Sequence, residues 1–325
     1  MQPILTITVN PALDVTTHVR SLEPRRKLRC TDPVMHAGGG GINVSRAIKA
    51  LGGESQAFVA LGGHTGAQFE ALLKRAGIAA ETWPLTGDTR TSFTVMEDGS
   101  GLPYRFVLPG PAVSPAEAEA ILDRVDRIIA RYTGYVVASG SLPPGMPTTF
   151  YARLASRTRA LGGKFVLDTH GEALRTAAME RPYLIRLNHL EAQELIGGDA
   201  DRAAHVIARE LVQGGHAETA IVALGDKGAI LSTSNGLVEI AAPHVEMRSG
   251  VGAGDSFVGA LVLALANGWS IEDAARYGVA AAASAVTTEA TELCIREDVD
   301  AFYAHMRGVD SLDPRQDPVA ASMAS

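Results

Sequence analysis

The sequence predicts an α/β protein, a doubly wound and mainly parallel sheet flanked by helices, with a small β-sheet acting as a lid. Three observations carry this. From Ser114 onward, short apolar runs rich in β-branched residues alternate with amphipathic helical runs, the pattern of a parallel sheet covered on both faces. Two stretches, about 12–36 and 88–110, are more polar and alternate in character, so they are assigned to a separate, more exposed sheet. The chain of 325 residues is 46% hydrophobic, which supplies a large core and excludes a disordered chain.

The elements follow in order. Ile4 to Val9, ended by Asn10-Pro11, reads as a buried first strand. Val15 to Val19 and Leu28 to Met35 read as strands of the exposed sheet. Ile42 to Leu51 is amphipathic and stops at Gly52-Gly53, a helix with a glycine cap. Gln56 to Leu61 is a strand and Gln68 to Arg75 a helix. Thr91 to Glu97 and Tyr104 to Leu108, joined by Asp98-Gly99-Ser100-Gly101, form a hairpin. Beyond it, strands are expected at Tyr135 to Ser139, Lys164 to Asp168, Tyr183 to Leu187 and Ala220 to Leu224. Helices are expected at Pro115 to Arg131, Thr148 to Leu161, Leu190 to Ile196, Ala203 to Gln213, Asp255 to Asn267 and Ile271 to Val286. Residues 1–310 thus read as one domain with an inserted lid, and 311–325 as a flexible tail.

Charge narrows the function. Lys plus Arg number 29 and Asp plus Glu 36, a net charge of −7, which leaves no basic footprint for nucleic acid. The two cysteines, Cys30 and Cys294, lie far apart and suit a reducing cytoplasm rather than a disulfide framework or a zinc site. The N-terminus lacks the pattern of a signal peptide, and the Ala-rich run from Gly278 to Thr288 is too short for a membrane span. A cytoplasmic protein is expected.

Two glycine-rich segments draw attention to chemistry. Gly250-Val251-Gly252-Ala253-Gly254-Asp255-Ser256 precedes an apolar helical run. Glycines before a helix leave N–H groups free for an anion, which the helix dipole favours. A carboxylate there would repel phosphate unless it takes a proton from an attacking hydroxyl. Spacing alone leaves this reading open beside a plain N-cap aspartate. Neither a Rossmann fingerprint nor a Walker A loop is present. Gly38-Gly39-Gly40-Gly41-Ile42-Asn43 opens a second helix, and ordering four glycines costs roughly 0.5–1 kcal/mol each relative to alanine. That expense favours close approach of a ligand over a mobile connector.

Gly38 to Asn43 with Ser45-Arg46-Ala47, Ser139-Gly140-Ser141-Leu142-Pro143, Asn188-x-x-Glu191 and Gly252-Ala253-Gly254-Asp255 together resemble the ribokinase-like carbohydrate kinases of the phosphofructokinase B family. Order and spacing agree from about residue 1 to residue 308. Asn10-Pro11-Ala12-Leu13-Asp14, Lys27 to Cys30 and Tyr104 to Val107 add a likeness to the minor-type 6-phosphofructokinases of that family. The resemblance implies a ribokinase-like fold and assigns Asp255 as general base, with the backbone of Gly252, Ala253 and Gly254 as an anion hole. It places Asp14, Gly38, Gly39, Asn43 and Ser139 at the sugar. Arg186, Asn188, Leu224, Gly225, Gly228 and Val251 would border the nucleotide, and Asn188 and Glu191 would hold Mg²⁺ through water. Without the resemblance, Asn188 and Glu191 read better as a helix-start pair. Lys27, Arg90 and Arg105 in the lid suit a phosphosugar more than a neutral sugar, although each can also be a solvated lid charge.

The implied activity is transfer of the γ-phosphoryl of ATP, with Mg²⁺, to the C1 hydroxyl of fructose 6-phosphate. Kinases for tagatose 6-phosphate or fructose 1-phosphate share these motifs, and a catalytically silent sugar-phosphate sensor is the non-enzyme alternative. A homodimer through the lid sheet is implied, with no nucleic-acid or membrane partner. The chain departs from the family at Gly40, where many relatives with other phosphosugars carry lysine, and at Arg186-Leu187, in place of lysine and proline. It departs again at Gly250, Ala283 and Thr288.

Overall fold

The computed structural model describes residues 1–131, 134–197, 202–289 and 291–310. The tail from 311, expected to be flexible, lies outside the described residues. In chain order the first half contains β1 (Ile4–Thr8), β2 (Ala12–Val19), β3 (Val34–Gly38), α1 (Gly40–Ala50), β4 (Gln56–Gly62), α2 (Gly63–Arg75), β5 (Ala79–Leu85), β6 (Arg90–Glu97) and β7 (Leu102–Val107). There follow α3 (Pro115–Ile129), β8 (Tyr135–Ser139), α4 (Phe150–Ala160), β9 (Lys164–Asp168), α5 (Gly171–Ala178), β10 (Leu184–Asn188) and α6 (His189–Ile196). The chain continues through α7 (Ala204–Gln213), β11 (Thr219–Ala223), β12 (Gly228–Thr233), β13 (Gly236–Ala241), α8 (Ala253–Ala266), α9 (Ile271–Thr287) and α10 (Arg296–Asp310).

Nine strands form one sheet in the order β13-β12-β11-β10-β9-β8-β1-β4-β5. From β11 to β5 neighbouring strands are parallel; β12 and β13 return antiparallel at one edge. Alternation along β1 divides the core between two faces. Leu5 and Ile7 pack with Ile121, Val125 and Phe150 of α3 and α4. Ile4 packs with Val44, Ile48, Phe257 and Leu261 of α1 and α8. Strands buried on both faces explain why β1, β8 and β9 read as continuous apolar runs.

The second sheet has the order β3-β2-β6-β7, with β2 and β6 parallel and both outer pairs antiparallel. Its two faces differ. Phe93, Leu102, Tyr104 and Phe106 fall on one face by register and remain exposed. Asp14, Arg90 and Arg105 fall on the other.

The expected strand from Leu28 to Met35 is displaced, since β3 spans Val34–Gly38. Pro33 precedes it and cannot donate to a ladder. Upstream, Thr31 bonds the end of β2, its N–H donating to His18 O at 3.0 Å and its Oγ1 accepting from His18 N at 3.1 Å. β5, α5, β12, β13 and α10 are additional to the elements expected from the sequence.

Candidate active site

Five parallel strands of the large sheet end on one edge, the region where open α/β sheets bind ligands. Asn10 follows β1, Ser139 ends β8, Asp168 ends β9, Asn188 ends β10 and Gly225 follows β11. Helices α1 and α8 begin there too.

Gly252 opens α8 with φ 76°, the left-handed region, and no side chain caps the helix. The first-turn amides of Ala253, Gly254 and Asp255 therefore have no helical partner of their own. A Cβ at Gly252 would lie 2.5 Å from Leu293 Cδ2. The Asp255 carboxylate is gripped on both oxygens: Asn43 Nδ2 donates to Oδ2 at 2.9 Å, and Ser139 Oγ donates to Oδ1 at 3.3 Å. Burial, and then the negative charge of Asp168, push its pKa up to about 7, against the opposing pull of Asn43, Arg186 and Ser139. A carboxylate poised near neutrality, beside free amides, can accept a proton and face an anion at once.

The glycine run before α1 packs more tightly than a ligand loop requires. A Cβ at Gly40 would sit 2.2 Å from Ser139 Oγ, and one at Gly41 would sit 2.5 Å from Thr8 Oγ1. The start of α1 thus rests on the ends of β1 and β8, which brings Asn43 to Asp255. A Cβ at Gly38 would collide with the Asp14 carboxylate, 2.0 Å from Oδ2, and Gly39 has φ 108°.

Burial raises the Asp14 pKa to about 6, with Arg105, Arg46 and Arg90 holding it down in that order. Arg90 crosses from the lid to the large sheet, its guanidinium donating to Asn10 O and to Leu108 O, each at 3.1 Å, while its buried Nε has no partner. Arg105 is exposed on β7 and acts on Asp14 through its charge. Lys27 is exposed in the loop between β2 and β3 and does not join this cluster.

On the other side, the Arg186 guanidinium lies 3.8 Å from Asp168 Oδ1 and over the Phe257 ring at 5.9 Å. It also borders the anion-facing turn, since a Cβ at Gly254 would come within 2.9 Å of its Nη1. Burial raises the Asp168 pKa, with Arg186 opposing and Glu191 reinforcing. Asn188 and Glu191 form a reciprocal cap at the start of α6: Glu191 N donates to Asn188 Oδ1 at 2.9 Å and Asn188 N to Glu191 Oε2 at 2.8 Å. Leu224, Gly225 and Gly228 form the turn after β11, where Leu224 N donates to Gly228 O at 2.8 Å. Val251 is buried just before Gly252. Among the described residues no cluster of His, Cys, Asp and Glu has the form of a metal site, and no helix is long and apolar enough to cross a membrane.

Two members of the site carried no assigned role in the sequence reading, Arg46 and Asp168. Arg46 falls three residues after Asn43 on α1, a spacing that puts the two side chains on one helix face, which is a usable signal. Asp168 ends a buried strand at the ligand edge, which becomes one only when strand order is known.

Residues 7–298 match the family described as pfkB family carbohydrate kinase. The chain belongs to this family. It is similar to the ATP-dependent 6-phosphofructokinase isozyme 2 of Mycobacterium tuberculosis, at 40% identity over 92% of this chain and 88% of that one. The isozyme 2 of Escherichia coli is 37% identical over 94% of this chain and 99% of its own length. The crystal structure of phosphofructokinase-2 from Escherichia coli in complex with fructose-6-phosphate superposes with a TM-score of 0.88. It shows 35% identity and covers 94% of this chain and all of that one (100%). The ribokinase-like architecture expected from the motifs is the architecture found.

Proposed function

We propose that this pfkB-family kinase transfers the γ-phosphoryl group of ATP to the C1 hydroxyl of fructose 6-phosphate. The observation that carries the reading is the Asp255 carboxylate, desolvated in the first turn of an uncapped helix and held by Asn43 and Ser139. Asp255 accepts the proton of the attacking hydroxyl. The amides around Gly252, Ala253 and Gly254 hold the transferring phosphoryl in place and offset its charge. Asp14, Gly38, Gly39, Asn43 and Ser139 orient the sugar. Arg90 and Arg105 face Asp14 on the cleft side of the lid and meet the sugar phosphate. Names of the similar proteins support fructose 6-phosphate as the acceptor.

Arg186, Val251, Leu224, Gly225 and Gly228 border the triphosphate and its nucleoside. For Mg²⁺, the donor set is the oxygens of Asn188 and Glu191. Their mutual cap occupies Oδ1 and Oε2, which leaves Glu191 Oε1 for water-mediated binding, a mode that suits an ion reluctant to lose its waters. Mg²⁺, when bound, supplies charge neutralisation on the phosphates. The exposed apolar face of Phe93, Leu102, Tyr104 and Phe106 takes a second copy of the chain, giving a homodimer through the lid.

A coupled assay of ADP release with fructose 6-phosphate, fructose 1-phosphate and tagatose 6-phosphate tests the substrate. Turnover is expected to be fastest with the first; equal or faster turnover with another reassigns it. No turnover with any of the three leaves the sugar-phosphate sensor as the better description.

A further inference from the structure

The chemistry above gives one half-buried cation no task. Arg46 lies nearly one turn after Asn43 on α1. Its Nη1 donates to Asn43 Oδ1 at 3.1 Å and grazes Ala37 O of β3 at 3.4 Å, and its Nη2 donates to Thr291 O at 3.3 Å. Burial lowers its pKa, while Asp14, Asp255 and Glu292 act in the opposite direction.

An amide has one accepting end and one donating end, whereas a guanidinium only donates. The end of Asn43 turned toward Arg46 must therefore be Oδ1, and the end turned toward Asp255 must be Nδ2. An N–H aimed at a carboxylate oxygen favours the ionised form. Turned over, the amide would present its oxygen to Asp255 Oδ2, a pairing compatible only with the protonated carboxyl. That form cannot take a proton from a hydroxyl. We propose that Arg46 is a positioning residue that locks the Asn43 amide with its donor toward Asp255, and so holds the base in its proton-accepting state.

The proposal rests on Asp255 being the base, and it constrains the substrate side as well. Arg46 occupies one lone pair of Asn43 Oδ1 and Asp255 one of its two N–H groups, so a bound sugar meets the second N–H and the second lone pair in a fixed orientation. The remaining groups facing Asp255 come from separate strands: Ser139 from β8, Asp168 from β9 and Arg186 from β10. Around Arg46 lie Asp14 of β2, Glu292, and His36 of β3. The His36 Nδ1 is 2.6 Å from Thr291 Oγ1, so the carbonyl that receives Arg46 belongs to a residue already tied to the lid.

The test is a titration of the Asp255 carboxyl by carbon NMR in aspartate-labelled protein, with the signal identified by its loss in Asp255→Asn. In Arg46→Met the midpoint is expected to rise by about one pH unit, a tenfold change in proton affinity. The acid limb of kcat/KM should move with it. In an Asn43→Ala background the same substitution is expected to shift the midpoint by less than a third of that, because Arg46 acts through the amide. An unchanged or lowered midpoint in Arg46→Met overturns the proposal. So does an equal shift in both backgrounds, which would make Arg46 a plain counter-charge. If the methionine variant does not fold, Arg46→Leu, which likewise carries no donor for Asn43, is read by the same criteria. Undiminished turnover by Asp255→Asn would instead remove the base assignment while leaving the titration result standing.

Discussion

Helices α6 and α8 begin at the same edge of the same sheet, and they begin in opposite ways. The start of α6 satisfies itself, with Asn188 and Glu191 exchanging bonds between side chain and backbone. The start of α8 does not: a left-handed glycine takes the place of a capping side chain, and the first-turn amides stay open. A conventional cap contributes about 1 kcal/mol, so leaving α8 without one sacrifices stability at a point where the sequence could have supplied it. Amides kept open beside a desolvated carboxylate make sense where an anion arrives from outside.

The contrast can be broken at several points. The largest expected effect is that of Asp255→Asn, a loss of 10²–10⁴-fold or so in kcat, measured with fructose 6-phosphate under saturating ATP. The same variant should melt at a higher temperature than the parent near pH 8. An aspartate has an ordinary value of 3.8 and here about 7, so ionising it costs more folded than unfolded. Its burden on stability is absent below pH 4, grows between pH 4 and 7 and is constant above. The melting difference between variant and parent should follow that course. A difference independent of pH would mean that Asp255 is not desolvated as described.

Gly252→Ala comes next. It forces a side chain into the left-handed region, at a cost of about 1–2 kcal/mol, and pushes a methyl against Leu293. Both melting temperature and kcat should fall, the latter more than tenfold because the open amides are re-aimed. A variant that loses stability yet keeps kcat would show that the turn is not the phosphoryl site. The smallest effect is expected for Asn188→Ala, about 1 kcal/mol of stability, read by denaturant unfolding. The apparent affinity for Mg²⁺ should weaken modestly. Should kcat collapse as it does at Gly252, the two helix starts would share one role and the contrast would fail.

These two helix starts also mark how far the sequence could be read. The Gly252–Asp255 turn is visible as a pattern, glycines and a carboxylate opening an apolar helix, but spacing alone does not separate a proton acceptor from a plain N-cap aspartate. The Asn188–Glu191 spacing supports both a cap and a metal pair, and in the structure the two side chains form a cap. β8 and β9 were legible to the residue, since strands buried on both faces are unbroken apolar runs. β5 was not: it is an edge strand of mixed exposure, with only Leu85 buried, and carries Glu81 and Pro84. β12 opens on Gly228 and lies buried beside β11, and an apolar run behind a glycine turn is ambiguous without knowledge of its neighbour. Arg46 escaped assignment for a different reason. Its work depends on which end of an amide faces it, and that is a property of three dimensions alone.

The packing of α1 has a practical corollary for redesign. Its first turn lies backbone against backbone on two central strands, so a side chain added at Gly40 would have to displace Ser139, which is itself bound to Asp255. Attempts to alter acceptor preference from that side will disturb the proton acceptor together with the sugar. Arg90 and Arg105 sit on the small sheet and Lys27 in the loop between β2 and β3, and none of the three is bonded to Asp255, whose carboxylate is held by Asn43 and Ser139. A variant library confined to Lys27, Arg90 and Arg105 should therefore explore new phosphosugars while leaving the phosphoryl-transfer apparatus intact.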